Sequence, residues 1–156
     1  MLLLAQKATT PRDARVKLEA SIASGAALEK FRAMIAAQGG DAAVVDDPAR
    51  LPQAKFKISV PAPITGLVHD VDPMTTALAV LRLGGGRANA DARIDHAVGI
   101  DRLLKIGEPV EAGAPLGVIH ANDEASGAEA RAMVAKAIVV GREPRMEPEL
   151  IGEVIG

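Results

Sequence analysis

The succession of hydrophobic patterns predicts an α+β chain: helical periodicity first, then short alternating strands interrupted by two helices. Three observations carry this. Leu28, Phe31, Met34 and Ile35 recur at helical spacing and stop at Gly39-Gly40. Phe56, Ile58 and Val60 alternate with Lys57 and Ser59, the period of a half-buried strand. Asp72-Pro73 opens a stripe of Met74, Ala77, Leu78 and Leu81, which Gly84-Gly85-Gly86 closes.

Taken in order, Met1 to Ala8 read as the tail of a helix with little to pack on. Thr10-Pro11-Arg12-Asp13 is a helix start: Thr10 caps, Pro11 suits the first helical position, and Asp13 can reach back to the cap. Ala14, Leu18 and Ile22 then face one way, and Gly25 is the stop, giving a helix over 10–24 and a second over 26–38. Residues 1–40 are therefore helical, and residues 41–55, punctuated by Asp46-Asp47-Pro48 and Leu51-Pro52, read as a linker. Residues 56–156 form the α+β part. Its elements are strands at 56–60 and 64–71, a helix near 73–84, and an extended stretch Ile94 to Ile100. Pro109-Val110 follows, then a turn through Gly113 and a strand Leu116 to His120. Asn122 or Asp123 caps a helix near 124–137, Ile138 to Val140 is a strand, and Leu150-Ile151 to Val154-Ile155 a weak final one.

Composition excludes several classes. The 156 residues carry 18 basic and 20 acidic side chains, a net charge of -2, which is no footprint for nucleic acid or an anionic membrane. Phe31 and Phe56 are the only aromatics, too few for a base-stacking platform. No apolar run approaches the ~20 residues of a membrane span, and Met1-Leu2-Leu3-Leu4 ends too soon, at Gln6-Lys7, for a signal peptide. Cysteine is absent, which removes disulfides, thiol nucleophiles and Cys-based zinc sites and fits a cytoplasmic location.

Residue chemistry assembles no active site. His69, His96 and His120 lie 27 and 24 residues apart on different elements and read as structural or surface positions rather than ligands or bases. The glycines at 84–86 follow a helix instead of preceding one, so they read as a C-cap and turn, not a phosphate cradle. Ser21, Ser24, Ser59 and Ser126 sit in no Gly-x-Ser-x-Gly elbow. No residue is assigned a catalytic, cofactor-binding or metal role.

Ile106-Gly107-Glu108-Pro109-Val110 with Leu116-Gly117-Val118-Ile119-His120, and Ala62-Pro63-Ile64-Thr65-Gly66-Leu67-Val68, resemble the two halves of a biotinyl/lipoyl-type barrel-sandwich. A carrier of that type needs a lysine at the hairpin tip. Asn122-Asp123 stand there, and the next lysine is Lys136, so the resemblance implies the sheet and not prosthetic-group attachment.

The series Leu83-Gly84-Gly85-Gly86-Arg87, Ile94-Asp95-His96-Ala97-Val98-Gly99-Ile100, Gly107-Glu108-Pro109-Val110 and Leu116 to Glu124 resembles the C-terminal domain of the pyrimidine nucleoside phosphorylase family, its thymidine phosphorylases in particular. Phe31, Met34, Gln38 and Gly39 resemble the family's Phe-x-x-Met-x-x-x-Gln-Gly helix end just upstream. The resemblance implies that residues 1–40 close a larger central α/β domain, and that 56–156 are a C-terminal structural domain. It implies support for phosphorolysis of thymidine to thymine and 2-deoxyribose 1-phosphate, with phosphate as co-substrate and no cofactor. Family members are much longer. Their Lys-His-Ser and Gly-rich phosphate segments, and the Arg, Ser and Lys that hold the pyrimidine, match no position here. The expectation is a C-terminal fragment, inactive alone, whose partner is the missing N-terminal catalytic region, and whose full-length form is a homodimer. The alternative is a stand-alone, non-catalytic binding or interaction module of the same fold.

Overall fold

The computed structural model describes residues 1–87 and 89–144. The chain divides into two compact units, Met1–Leu51 and Pro52–Gly156.

In the first unit, α1 (Pro11–Ala23) begins as its sequence dictates. The Thr10 hydroxyl accepts from the Asp13 N–H at 3.1 Å, which satisfies one orphan donor of the first turn, and Asp13 Oδ2 accepts from the N–H of Thr9, just before the cap, at 3.1 Å. Gly25, at φ 78, turns the chain into α2 (Ala26–Ala37). Met1 to Ala8 do not continue a helix, contrary to the expectation. The Lys7 and Ala8 N–H groups both bond to Leu2 O, and Gln6 at φ 54 is left-handed, so the segment is a string of turns. Within the stretch read as a linker, 41–55, two 3-10 turns form at Ala42–Val45 and Pro48–Arg50, each capped by the preceding aspartate, Asp41 or Asp47. Arg32 of α2 grips Asp46 with two hydrogen bonds of 2.6 and 2.8 Å, and Arg50 grips Asp41 at 2.7 and 2.9 Å. The breaker residues thus fold as caps and ion pairs. Neither α1 nor α2 buries a residue, and Ala8 is the one buried hydrophobic of this unit among the described residues.

The second unit contains β1 (Phe56–Pro61), β2 (Gly66–Val71), α3 (Pro73–Leu83), β3 (Gly99–Asp101), β4 (Pro109–Val110), β5 (Pro115–Ala121), α4 (Glu124–Ala137) and β6 (Ile138–Gly141). The strands make two antiparallel sheets, in the orders β1-β5-β3 and β4-β2-β6. The α+β class holds. Among the described residues no strand pairing joins the sheets into a closed barrel. The expected strand over Ile94 to Ile100 contracts to Gly99–Asp101, because Asp95 bends the chain: its N–H bonds to Gly84 O and its side chain accepts from the Ala97 N–H. The weak strand expected at 150–155 lies outside the described residues.

With so few aromatics, the core is aliphatic and closely approached. Val60, Leu116, Ile119, Val68 and Val134 are fully buried, with Ala79, Ala121 and Ala130 filling between them. α4 packs on α3 and on β1 and β5. Gly127 makes that approach possible: a Cβ there would lie 2.6 Å from Ile58 Cδ1 and 3.0 Å from Ala121 Cβ. α3 is capped by Asp72, which accepts from the Met74 N–H at 3.0 Å, the Thr75 N–H at 3.3 Å and the Thr75 hydroxyl. The Thr75 hydroxyl foremost holds the Asp72 carboxyl below its ordinary range, and the Ser126 N–H does the same for Asp123 at the start of α4.

Replacing Ile119 with alanine should cost about 2–5 kcal/mol in urea unfolding, because a fully buried side chain leaves a cavity. Gly127→Ala should also destabilise, although helix propensity alone would favour alanine by about 1 kcal/mol; a stabilised variant would mean that α4 does not approach β1 this closely. Depressed carboxylates add stability above the unfolded aspartate value of about 3.9 and lose it as pH falls through their folded values. Urea midpoints should therefore be flat from pH 7 to 5 and fall toward pH 3, and Asp72→Asn should show a smaller acid loss than the parent chain.

Candidate functional site

The three histidines remain on separate elements. His69 is the extra residue of a β-bulge, since Val68 pairs with Val140 and Asp70 with Val139. Its ring lies against Gly141, where a Cβ would collide with it, and its Nε2 donates to Glu143 O at 2.9 Å. His120 is on β5 with Nε2 3.9 Å from Asp101 Oδ2, a loose contact across to β3. His96 follows Asp95 in a turn and is exposed. None of the three is bonded to a hydroxyl, as a base for nucleophilic attack would be.

The glycine turn uses its donors inward. Gly84, at φ 92, ends α3. The Gly84 N–H bonds to Leu81 O at 3.1 Å and the Gly85 N–H to Val80 O at 3.0 Å, so neither is available to cradle an anion. Three of the four serines are similarly spent: the Ser21, Ser24 and Ser126 hydroxyls donate to the backbone carbonyls of Leu18, Ser21 and Asp123. Among the described residues no group of three or more histidine and carboxylate side chains could hold a metal ion.

One polar cluster was not anticipated. Asn122 leaves helix capping to Asp123 and instead donates to Asp95 Oδ2 at 2.7 Å while accepting from the Lys55 N–H at 3.0 Å. This ties the entry to β1, the end of β5 and the base of the 84–95 loop together. The Ala97 N–H first, then Asn122, hold the Asp95 carboxyl below its ordinary range. The available signal was that Asn122-Asp123 offers two capping side chains to one helix. The cluster is structural: each of these polar groups is already engaged, and no reactive hydroxyl or amine joins it.

The surfaces offer more room than chemistry. In the first unit an open trough of about 920 Å³ is lined by Leu2, Leu3, Pro11, Ala14, Leu18 and Ile22 together with Arg12, Arg15 and Glu19. A second, of about 670 Å³, is lined by Leu28, Phe31, Ile35, Val44, Val45 and Leu51 with Asp41 and Arg50. In the second unit a shallower one of about 450 Å³ lies beside Thr65, Leu67, Pro109 and Glu111. Apolar troughs on a unit without a core are suited to packing against protein rather than to bond making.

Comparison with known proteins places the chain in a family. Residues 67–141 match the family model of the pyrimidine nucleoside phosphorylase C-terminal domain. A thymidine phosphorylase of Burkholderia cenocepacia is 45% identical over 142 residues, which are 90% of this chain and 32% of that protein. A pyrimidine-nucleoside phosphorylase of Bacillus subtilis is 46% identical over 124 residues, 80% of this chain and 29% of that protein. One from Staphylococcus aureus is 46% identical over 122 residues, 78% and 28%. The chain thus spans about a third of the length of the curated relatives it matches. Through the domain at residues 67–141, the chain belongs to the C-terminal portion of the pyrimidine nucleoside phosphorylase family.

Proposed function

We propose that this chain is the structural C-terminal part of a pyrimidine nucleoside phosphorylase, and that it supports phosphorolysis of thymidine to thymine and 2-deoxyribose 1-phosphate with catalytic groups supplied from outside it. The single observation that carries this is the family match over residues 67–141, in a unit where Asp95, Asn122 and Asp123 are engaged with backbone and with one another. In this reading residues 1–40 close a larger α/β domain and residues 56–156 are the C-terminal domain. The two sheets together are the biotinyl/lipoyl-like barrel-sandwich of this reading, with the half at residues 106–120 giving β4 to one sheet and β5 to the other. A homodimeric whole protein and a cytoplasmic location belong to the same proposal. The exposed faces of α1 and α2 support it: Leu18, Ile22, Leu28, Phe31 and Met34 all retain large apolar exposure, as helices do when their packing partner is another domain. Those same faces favour the second reading, a stand-alone interaction module.

The chain alone, given thymidine and phosphate, should release no thymine above background, since loss of even one transition-state donor typically costs about 10²–10³ in rate. Adding the part of the Burkholderia cenocepacia relative that this chain does not match should restore thymine release. Failure to bind that polypeptide would favour the stand-alone module. Turnover by the chain alone that His96→Ala or His120→Ala abolishes would overturn the proposal.

A further inference from the structure

β1 is an edge strand: it pairs with β5 on one side and, among the described residues, with no strand on the other. The hydrogen bonding shows which groups face outward. The Leu104 N–H reaches Leu116 O on the β3 side of β5. Alternation then turns the backbone groups of Val118 and His120 toward β3 and those of Gly117, Ile119 and Ala121 toward β1. Their partners Val60, Ile58 and Phe56 are occupied by β5, so the backbone groups of Lys57, Ser59 and Pro61 point away from the sheet.

Such an edge is a template for another strand. Pro61 has no N–H to offer, and Lys57 is an exposed charge. The third device comes from a distant part of the chain. Arg131, on the exposed side of α4, donates from Nε to Ser59 O at 3.1 Å. The bond takes the outward carbonyl at the middle of the strand, where an incoming strand would have to begin its ladder.

We propose that Arg131 is a guard that keeps the β1 edge from pairing with the β1 edge of a second copy of this chain. The second copy is the occupant the edge itself selects. In an antiparallel pair centred on Ser59, each Ser59 exchanges its N–H and C=O with the other, and each Lys57 lies opposite a Pro61, which makes the contact isologous. α4 therefore has two duties, covering the core with one face and closing the sheet edge with the other. The inference is independent of the phosphorolysis reading.

The test compares the full chain with Arg131→Ala, a substitution at an exposed helical position, by amide hydrogen exchange at low and high protein concentration and by sedimentation. In the parent chain the Lys57 and Ser59 amides should exchange at rates independent of concentration. In Arg131→Ala they should slow with concentration, by about tenfold once an intermolecular bond forms, alongside a rise in mass. Lys136→Ala, which removes another exposed charge of α4, should change neither. The guard is overturned if Arg131→Ala leaves these amides unchanged, if its mass rises without slowing them, or if Lys136→Ala has the same effect.

Discussion

The contact between β5 and α4 is the constraint on which the second unit depends. β5 lies between β1 and β3, and its Leu116, Ile119 and Ala121 are sealed from solvent. α4 follows after a short turn and folds back over the same sheet, with Ala130 and Val134 buried and Gly127 meeting Ile58 and Ala121. A chain with two aromatic residues cannot fill a wide gap between layers with rings. It closes the gap instead, with alanine and glycine on the helix against branched aliphatics on the strands. Dispersion contacts in such a core are many and short, and they leave little tolerance for added volume.

Much of this was legible in the sequence because local and tertiary preferences coincide. Thr10-Pro11, Asp72-Pro73 and Asp123 each cap the helix they precede, and Gly25 and Gly84 adopt the left-handed turns that end one. Alternation at Phe56, Ile58 and Val60 gave the buried side of β1 directly. The misreadings arose where a short polar side chain had more than one local option. Asp41 and Asp47 look like linker residues, yet each caps a 3-10 turn. Asp95 interrupts an apolar run that would otherwise extend as strand, and its partner Asn122 is 27 residues away, beyond the reach of any periodicity argument. Arg131 is similarly silent in sequence, since its carbonyl partner is 72 residues distant. The family came from the ordered series of glycine and proline turns.

The two units differ in kind. Residues 52–144 carry a continuous aliphatic core, while residues 1–51 are held by caps, turns and the Arg32–Asp46 and Arg50–Asp41 ion pairs. Exposed ion pairs contribute little net stability and are weakened by salt. The order of the first unit therefore rests on local geometry, and its large apolar side chains are spent on surfaces rather than on an interior. A segment built this way gains most of its free energy when it is covered, which is the physical counterpart of its place among relatives about three times as long.

The histidine in the β2 bulge has a consequence for the end of β6. Because its Nε2 donates to a carbonyl, Glu143 O, the neutral ring must be the Nε2–H tautomer, with the lone pair on Nδ1. The direction in which the chain leaves β6 after Gly141 is thereby set by a side chain of the neighbouring strand: the bulge that swells β2 also supplies the donor that receives the chain beyond β6.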